Sequence, residues 1–159
     1  MRECLDIRIP GHPKMMQLVR RTVGQACEMV GFSEREAHSI MLAVDEGCTN
    51  IIRHCYHGRE ERDIVIRLRL YKNRIEIVLR DFGEAIDVHK LHECVEKRRR
   101  ELEERGPVRP GGLGVMLIHS IMDRVHYKSN KKSGTVLKLV KYVSPGGGKK
   151  VAAKYSGKG

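Results

Sequence analysis

Between Met15 and Val30 the core-type positions recur every three to four residues: Met15, Leu18, Val19, Thr22, Val23, Ala26, Met29 and Val30. That is the period of a helix with one buried face. Gly11-His12-Pro13 breaks the chain ahead of it, Pro13 suits a first helical turn, and Gly31 suits a stop. Ser33 and Glu36 then form an S-x-x-E capping box for a second helix, expected to run to about His54. Residues 3–9 fit a first strand. From Ile64 the period becomes two. Ile64, Ile66, Leu68 and Leu70 alternate with Val65, Arg67, Arg69 and Tyr71, and Ile75, Ile77 and Leu79 alternate with Glu76, Val78 and Arg80. Two half-buried strands joined at Lys72-Asn73 make a hairpin.

Residues 84–110 break both periods. The run ECVEKRRRELEERGPVRPGG is charged, ends in Gly and Pro, and offers little apolar surface to fix it down. Part of it can be helical, but a mobile lid or loop over about 84–110 is the expectation. A third helix is expected over about 112–123, with Val115, Ile118 and Met122 on one face. Val125–Lys128 and Thr135–Tyr142 then read as a last hairpin around Asn130-Lys131-Lys132-Ser133-Gly134. Strands and helices that do not strictly alternate predict an α+β fold: a two-layer sandwich of a mostly antiparallel sheet covered on one face by helices.

Composition changes this picture in four places. The 159 residues suit a single domain, expected over 1–143, and a core that needs no disulfide or metal. No apolar run approaches the roughly 20 residues of a membrane span, and the charged N-terminus MRECLDIRIP is unlike a signal peptide, so a cytoplasmic protein is expected. The five cysteines are scattered without a C-x-x-C pair, which fits reduced, largely buried thiols. The formal net charge is +11, and four of the lysines (149, 150, 154 and 158) fall in a Gly/Lys tail, 144–159, expected to be disordered. No aromatic-rich basic strand is evident, so a solvated basic surface or an acidic protein partner is expected rather than direct nucleic-acid binding.

The chemistry concentrates in LAVDEGCTNIIRHCYH, residues 42–57. Glu46 and Asn50 stand four apart, one turn of helix, so a carboxylate and an amide share a face. Val44, Cys48, Ile51 and Cys55 fall on another face and can pack inward. A carboxylate can take a proton and an amide oxygen can bind a hard cation, a combination suited to metal-assisted chemistry on a phosphate. Asp81-Phe82-Gly83 follows a strand directly; Asp81 can accept from an exocyclic amine, and Gly83 lets backbone pass close to a ligand. Gly111-Gly112-Leu113-Gly114 opens the third helix, where backbone N–H groups favour phosphate. It is neither a Rossmann nor a Walker A loop.

In this order the segments AVDEGCTNIIRHCY, DFG, GGLGVMLIHSIMD and Ser133-Gly134-Thr135 resemble the N box, the two glycine boxes and the closing Gly-Thr element of the Bergerat-type (GHKL, histidine-kinase-like) ATPases. The resemblance spans about residues 5 to 142. Its details, Glu46 to Tyr56, Asp81 to Asp87 and Pro110 to Asp123, are similar to the bacterial anti-sigma-factor serine/threonine kinases. Ala85 departs from the superfamily, where many members carry a second glycine.

The resemblance implies the Bergerat ATP-binding fold, ATP and Mg²⁺. It implies that Asn50 is the Mg²⁺ ligand and Glu46 the catalytic base. Asp81 would read the adenine amine, with Gly83 beside the base and Thr135 supporting Asp81. Gly112, Leu113 and Gly114 would face the phosphates, with Arg109 or Arg105 on the lid, and His54 would be a hydrogen-bond partner behind Asn50. It also implies serine phosphorylation of a STAS-domain antagonist and sequestration of a sigma factor. Homodimerisation stays open. Two other classes fit the same motifs: a detached histidine-kinase catalytic domain, and an ATP-binding module that sequesters a partner without kinase activity.

Overall fold

The computed structural model describes residues 3–55, 62–83, 88–105 and 113–145. In chain order it contains strand β1 (Glu3–Pro10), helices α1 (Pro13–Val30) and α2 (Glu34–Asn50), and a π-helical turn at Ile51–Cys55. Strands β2 (Asp63–Leu70) and β3 (Arg74–Arg80), helices α3 (Val88–Arg105) and α4 (Leu113–Ile121), and strands β4 (Arg124–Asn130) and β5 (Gly134–Tyr142) follow. The five strands form one sheet in the order β1-β2-β3-β5-β4, antiparallel at each step. This is the α+β sandwich expected from the periodicity. Among the described residues no helix is long and apolar enough to cross a membrane.

The sheet alternates cleanly. Ile64, Ile66 and Leu68 of β2, Ile75, Ile77 and Leu79 of β3 and Leu139 of β5 are all sealed from solvent. They face Val19, Val23 and Cys27 of α1, Ile40, Val44 and Cys48 of α2 and Ile118 of α4. Each such side chain contributes roughly 1.5–3 kcal/mol by leaving water. Burial also pushes the Cys27 and Cys48 thiols up to about 12, so both behave as small hydrophobes; Cys4 is exposed.

The helix ends follow the capping chemistry. His12 Nδ1 accepts from Lys14 N at the start of α1, and Gly31 closes it in the left-handed conformation at φ 102°, its N–H reaching Cys27 O and Glu28 O. The Ser33–Glu36 box is fully formed at the start of α2. Glu36 takes a further hydrogen bond: Ser144 Oγ donates to its Oε1 at 2.7 Å. Burial raises the Glu36 carboxyl, but the hydrogen bonds from Ser33 and Ser144 outweigh it and hold the group below its ordinary range. The expected tail therefore begins with a residue pinned to α2; residues 146–159 lie outside the described residues.

Two boundaries differ from expectation. The α-helical part of α2 ends at Asn50, and the backbone widens into the π turn that carries Ile51 into the core. Within the segment expected as a lid or loop, helical at most in part, residues Val88–Arg105 form a helix. Glu, Lys, Arg and Leu, good helix formers, make up most of it, and side-chain contacts at helical spacing, His89–Glu93 and the Glu96–Arg99 ion pair, lie along it. Val88, Leu91, Val95 and Leu102 do recur at helical spacing along it, but the acids and bases crowded between them obscure the period in sequence. Where it meets the domain, the His92 ring lies edge-on to His119 of α4 and Tyr127 of β4, with centroids 6.4 Å away in each case. Burial, then the neighbouring His92, pushes His119 down, and burial raises Tyr127 to about 12.

Helix α2 approaches the sheet through Gly47. A Cβ there would stand 2.6 Å from Leu79 Cδ1 and 3.3 Å from Leu137 Cδ2. Both leucines are locked in the core. Gly47→Val should therefore lower stability by about 1–3 kcal/mol through overpacking, measured by urea unfolding. A midpoint equal to that of the unsubstituted protein would show that the helix has room to lift.

Candidate nucleotide site

The site is built where α2, α4 and the paired ends of β3 and β5 converge. Glu46 and Asn50 project from the last turn of α2 and are half-buried. The first turn of α4 lies against them. A Cβ on Gly114 would overlap Glu46 Oε2 and stand 3.8 Å from Asn50 Oδ1. Glycine is needed at 114 for this close approach, not for an unusual φ. The expected pair and the expected third member of the glycine run thus share one corner, with Leu113 exposed at the helix start.

The second half of the site is the end of β3. Asp81 is completely buried. Its N–H donates to Thr135 O at 3.0 Å, continuing the β3–β5 ladder. Its Oδ1 accepts from Gly83 N at 2.9 Å and lies 3.4 Å from Thr135 N. Backbone donors at this spacing fix the carboxylate's rotamer. Thr135 is itself buried, and its Oγ1 shares a hydrogen bond of 2.8 Å with Ser129 Oγ across the β4–β5 hairpin. Thr135 therefore meets Asp81 through its backbone, while its hydroxyl is turned to Ser129.

Gly134 explains why a glycine precedes Thr135. Its φ is +76°, in the left-handed region. A Cβ there would overlap the Asp81 carbonyl and come 3.0 Å from Phe82 Cα. Phe82 is 44% exposed, with the guanidinium carbons of Arg8 and Arg80 at 5.7 and 5.2 Å from its ring centroid. Asp81 and Phe82 thus part company at the strand end: the carboxylate turns into the protein and the ring stays outside.

Glu46, Asn50 and Gly114 are brought together at one corner, and Asp81, Gly83 and Thr135 at the β3–β5 end. Gly112 and Arg109 lie outside the described residues, as do the side chains of His54 and Arg105. Gly47, Gly134 and Ser129 were not singled out as site residues from the sequence. A glycine inside a helix next to a candidate carboxylate is a usable signal for Gly47; Ser129 has no local signal, because its role exists only through hairpin pairing.

The donor set suits a nucleotide held with a hard cation. Asn50 and Glu46 offer oxygen atoms, and Mg²⁺ takes one or two protein oxygens together with phosphate oxygens and water. Among the described residues no group of three or more His, Cys, Asp or Glu side chains is placed to cage a metal, so an ion here would depend on the nucleotide.

The chain matches known proteins over most of its length. The histidine kinase-like ATPase domain family matches residues 9–141. The serine-protein kinase RsbW of Oceanobacillus iheyensis is 30% identical over 140 residues, covering 88% of this chain and 87% of the relative. The protein of the same name from Halalkalibacterium halodurans is 30% identical over 146 residues, with 89% and 84% covered. Among solved structures, a chain of the SiaB–SiaC complex from Pseudomonas aeruginosa superposes with a TM-score of 0.59 at 14% identity, covering 87% and 88% of the two chains. That last likeness concerns the fold alone.

Gly114→Ala tests the corner. Alanine favours a helix by about 1 kcal/mol over glycine, so thermal stability should be kept. The new methyl group must displace the Glu46 carboxylate, and ATP affinity measured by calorimetry should fall about tenfold, or roughly 1.4 kcal/mol. Undiminished affinity would show that the contact between α4 and Glu46 is not part of the binding geometry.

Proposed function

The chain belongs to the histidine kinase-like ATPase domain family, and from that premise we propose that it is an ATP-dependent serine protein kinase and anti-sigma factor. It phosphorylates a serine on a STAS-domain antagonist and sequesters a sigma factor. The observation that carries the kinase reading is the Glu46–Asn50 corner closed by Gly114. A carboxylate beside a cation-binding amide at the start of a helix combines a base with an anion site. The serine-protein kinase names of the curated relatives support the same reading.

In this reading ATP would supply the phosphoryl group, and Asn50 Oδ1 would help hold a Mg²⁺ ion whose charge offsets that of the phosphates. The remaining work falls to the chain. Asp81, fixed by the Gly83 and Thr135 amides, accepts from the adenine amine. Gly83 leaves space beside the base. Backbone donors at Gly112, Leu113 and Gly114 face the phosphates, joined by Arg109. Glu46 takes the proton of the incoming serine hydroxyl. Positioning and electrostatics supply most of the rate in phosphoryl transfer, with the base adding roughly 10²–10⁴-fold.

Two substitutions separate binding from chemistry. Asn50→Ala should weaken Mg-dependent ATP binding strongly by calorimetry, and should leave little difference between affinities with and without Mg²⁺. Glu46→Gln should keep most ATP affinity while phosphoryl transfer slows by roughly 10²–10⁴-fold. Transfer at the unsubstituted rate in folded Glu46→Gln removes the base role.

The substrate is tested directly. The purified chain, Mg-ATP and the STAS-domain proteins of its own genome should give an acid-stable phosphate, mapped to serine by mass spectrometry. An acid-labile phosphate on a histidine of another protein would replace this reading with that of a detached histidine-kinase domain.

A further inference from the structure

The sheet has a second face, on the side away from the described helices, and its residues follow from the register. Pairing places Arg8, Val65, Arg80, Val136 and Lys128 in one line across β1, β2, β3, β5 and β4. Cation and valine alternate at every strand. On the adjacent line Val78 sits between Arg67 and Lys138. The three valines are half-buried, an apolar centre left open between charges.

The charges on this face are unevenly satisfied. Arg67 pairs with Asp6 at 2.6 Å and Arg8 with Asp63 at 2.7 Å. Glu76 is shared by Lys138, Arg74 and Arg69 at 3.2, 3.3 and 3.7 Å. Among the described residues Arg80 and Lys128 make no ion pair. Helices α1 and α2, on the other face, carry four Lys and Arg against five Asp and Glu. Folding therefore gathers positive charge on the outer face. An apolar centre ringed by cations, with Phe82 exposed at its end, has the anatomy of a protein interface.

We propose that this outer face of the sheet is a docking surface for an acidic amphipathic helix of another protein, lying across the strands. The match is geometric. Cations two strands apart stand about 9.6 Å from each other at the usual strand spacing of roughly 4.8 Å. Helix residues seven apart are separated by about 10.5 Å along the axis. Acids one heptad apart would meet Arg8, Arg80 and Lys128 in turn, and apolar residues midway would cover Val65 and Val136. Nucleic acid fits less well. Its phosphates would repeat over valines, and Asp6, Asp63 and Glu76 border the line. A second copy would oppose like charge. The chain's own C-terminal sequence carries lysines and no acid after Ser144. The inference concerns the side of the sheet opposite Glu46 and Asn50 and is independent of the kinase reading.

The probe is a synthetic helical peptide with Glu one heptad apart and Leu midway, titrated into the whole chain by fluorescence anisotropy. Its Lys-for-Glu analogue and a single-stranded DNA oligonucleotide serve as comparisons. The acidic peptide should bind saturably, more tightly than both, and weaken as salt is raised. The double variant Arg80→Glu, Lys128→Glu should weaken it by about tenfold or more, while Arg21→Glu on the exposed side of α1 should leave it unchanged. If the double variant melts early, Lys128→Glu alone is the test, with a smaller loss in the same direction. Absence of saturable binding, equal loss in Arg21→Glu, or no loss in the outer-face variants overturns the proposal. Tighter DNA binding that is lost in the same variants overturns it in favour of a nucleic-acid surface.

Discussion

The placement of the site depends on one steric contact. Helix α2 comes down onto β3 and β5 at Gly47, where no side chain separates the helix backbone from Leu79 and Leu137. Leu79 lies two residues before Asp81, and Leu137 two residues after Thr135. Glu46 precedes Gly47 directly, and Asn50 follows it by less than a turn. The glycine thus sets the helix that bears Glu46 and the Asn50 amide at a fixed height over the strands that bear the buried carboxylate. A larger residue would raise α2 and change the distance between the two halves. Core packing at near-crystalline density makes this reference stiff.

Around that contact the polar elements fall into two kinds. The Asp81 end is rigid: it is sealed from water, continues the ladder, and uses a positive-φ glycine to let β5 pass under its carbonyl. The Glu46–Asn50 corner is half-buried and faces the start of α4, which is linked to the long charged helix α3. A fixed recognition element beside a more open chemical corner suits a site in which one small molecule stays bound while a second, larger partner arrives and leaves. Surface ion pairs such as Arg20–Asp45, 2.7 Å between α1 and α2, add about 0–1 kcal/mol each and do not decide the arrangement.

Much of this was legible in the chain. The 3.6 and 2.0 periods located three helices and the strands, and the capping box and Gly31 fixed helix ends to within a residue or two, because local hydrogen bonding decides them. Glu46 with Asn50, and Asp81 at a strand end, could be singled out since chemistry at set spacing is local as well. Helix α3 was hidden by its charge: Val88, Leu91, Val95 and Leu102 recur at helical spacing, but the many acids and bases around them hide the period. The Thr135–Ser129 bond, the Ser144–Glu36 bond and the steric role of Gly47 join residues distant in sequence, so only pairing and packing expose them. The π turn after Asn50 has no sequence signal that we can identify.

The position of β5 bears on how the protein is made. β5, the last of the described strands, is not at the edge of the sheet but between β3 and β4, and among the described residues β4 pairs with β5 alone. Until residue 142 has emerged, β3 has an open flank, β4 has no sheet to join, and Asp81 lacks its backbone partner. Ser144 completes the hydrogen bonding of a carboxylate 108 positions earlier. Such long-range closure is slow compared with local helix formation. The growing chain can form α1, α2 and the β2–β3 hairpin during synthesis, but it cannot hold a finished nucleotide site. The Asp81 end of the candidate site is assembled only once β5 is in place, so a chain cut before it would lack that end by construction of the fold rather than by loss of any reactive group.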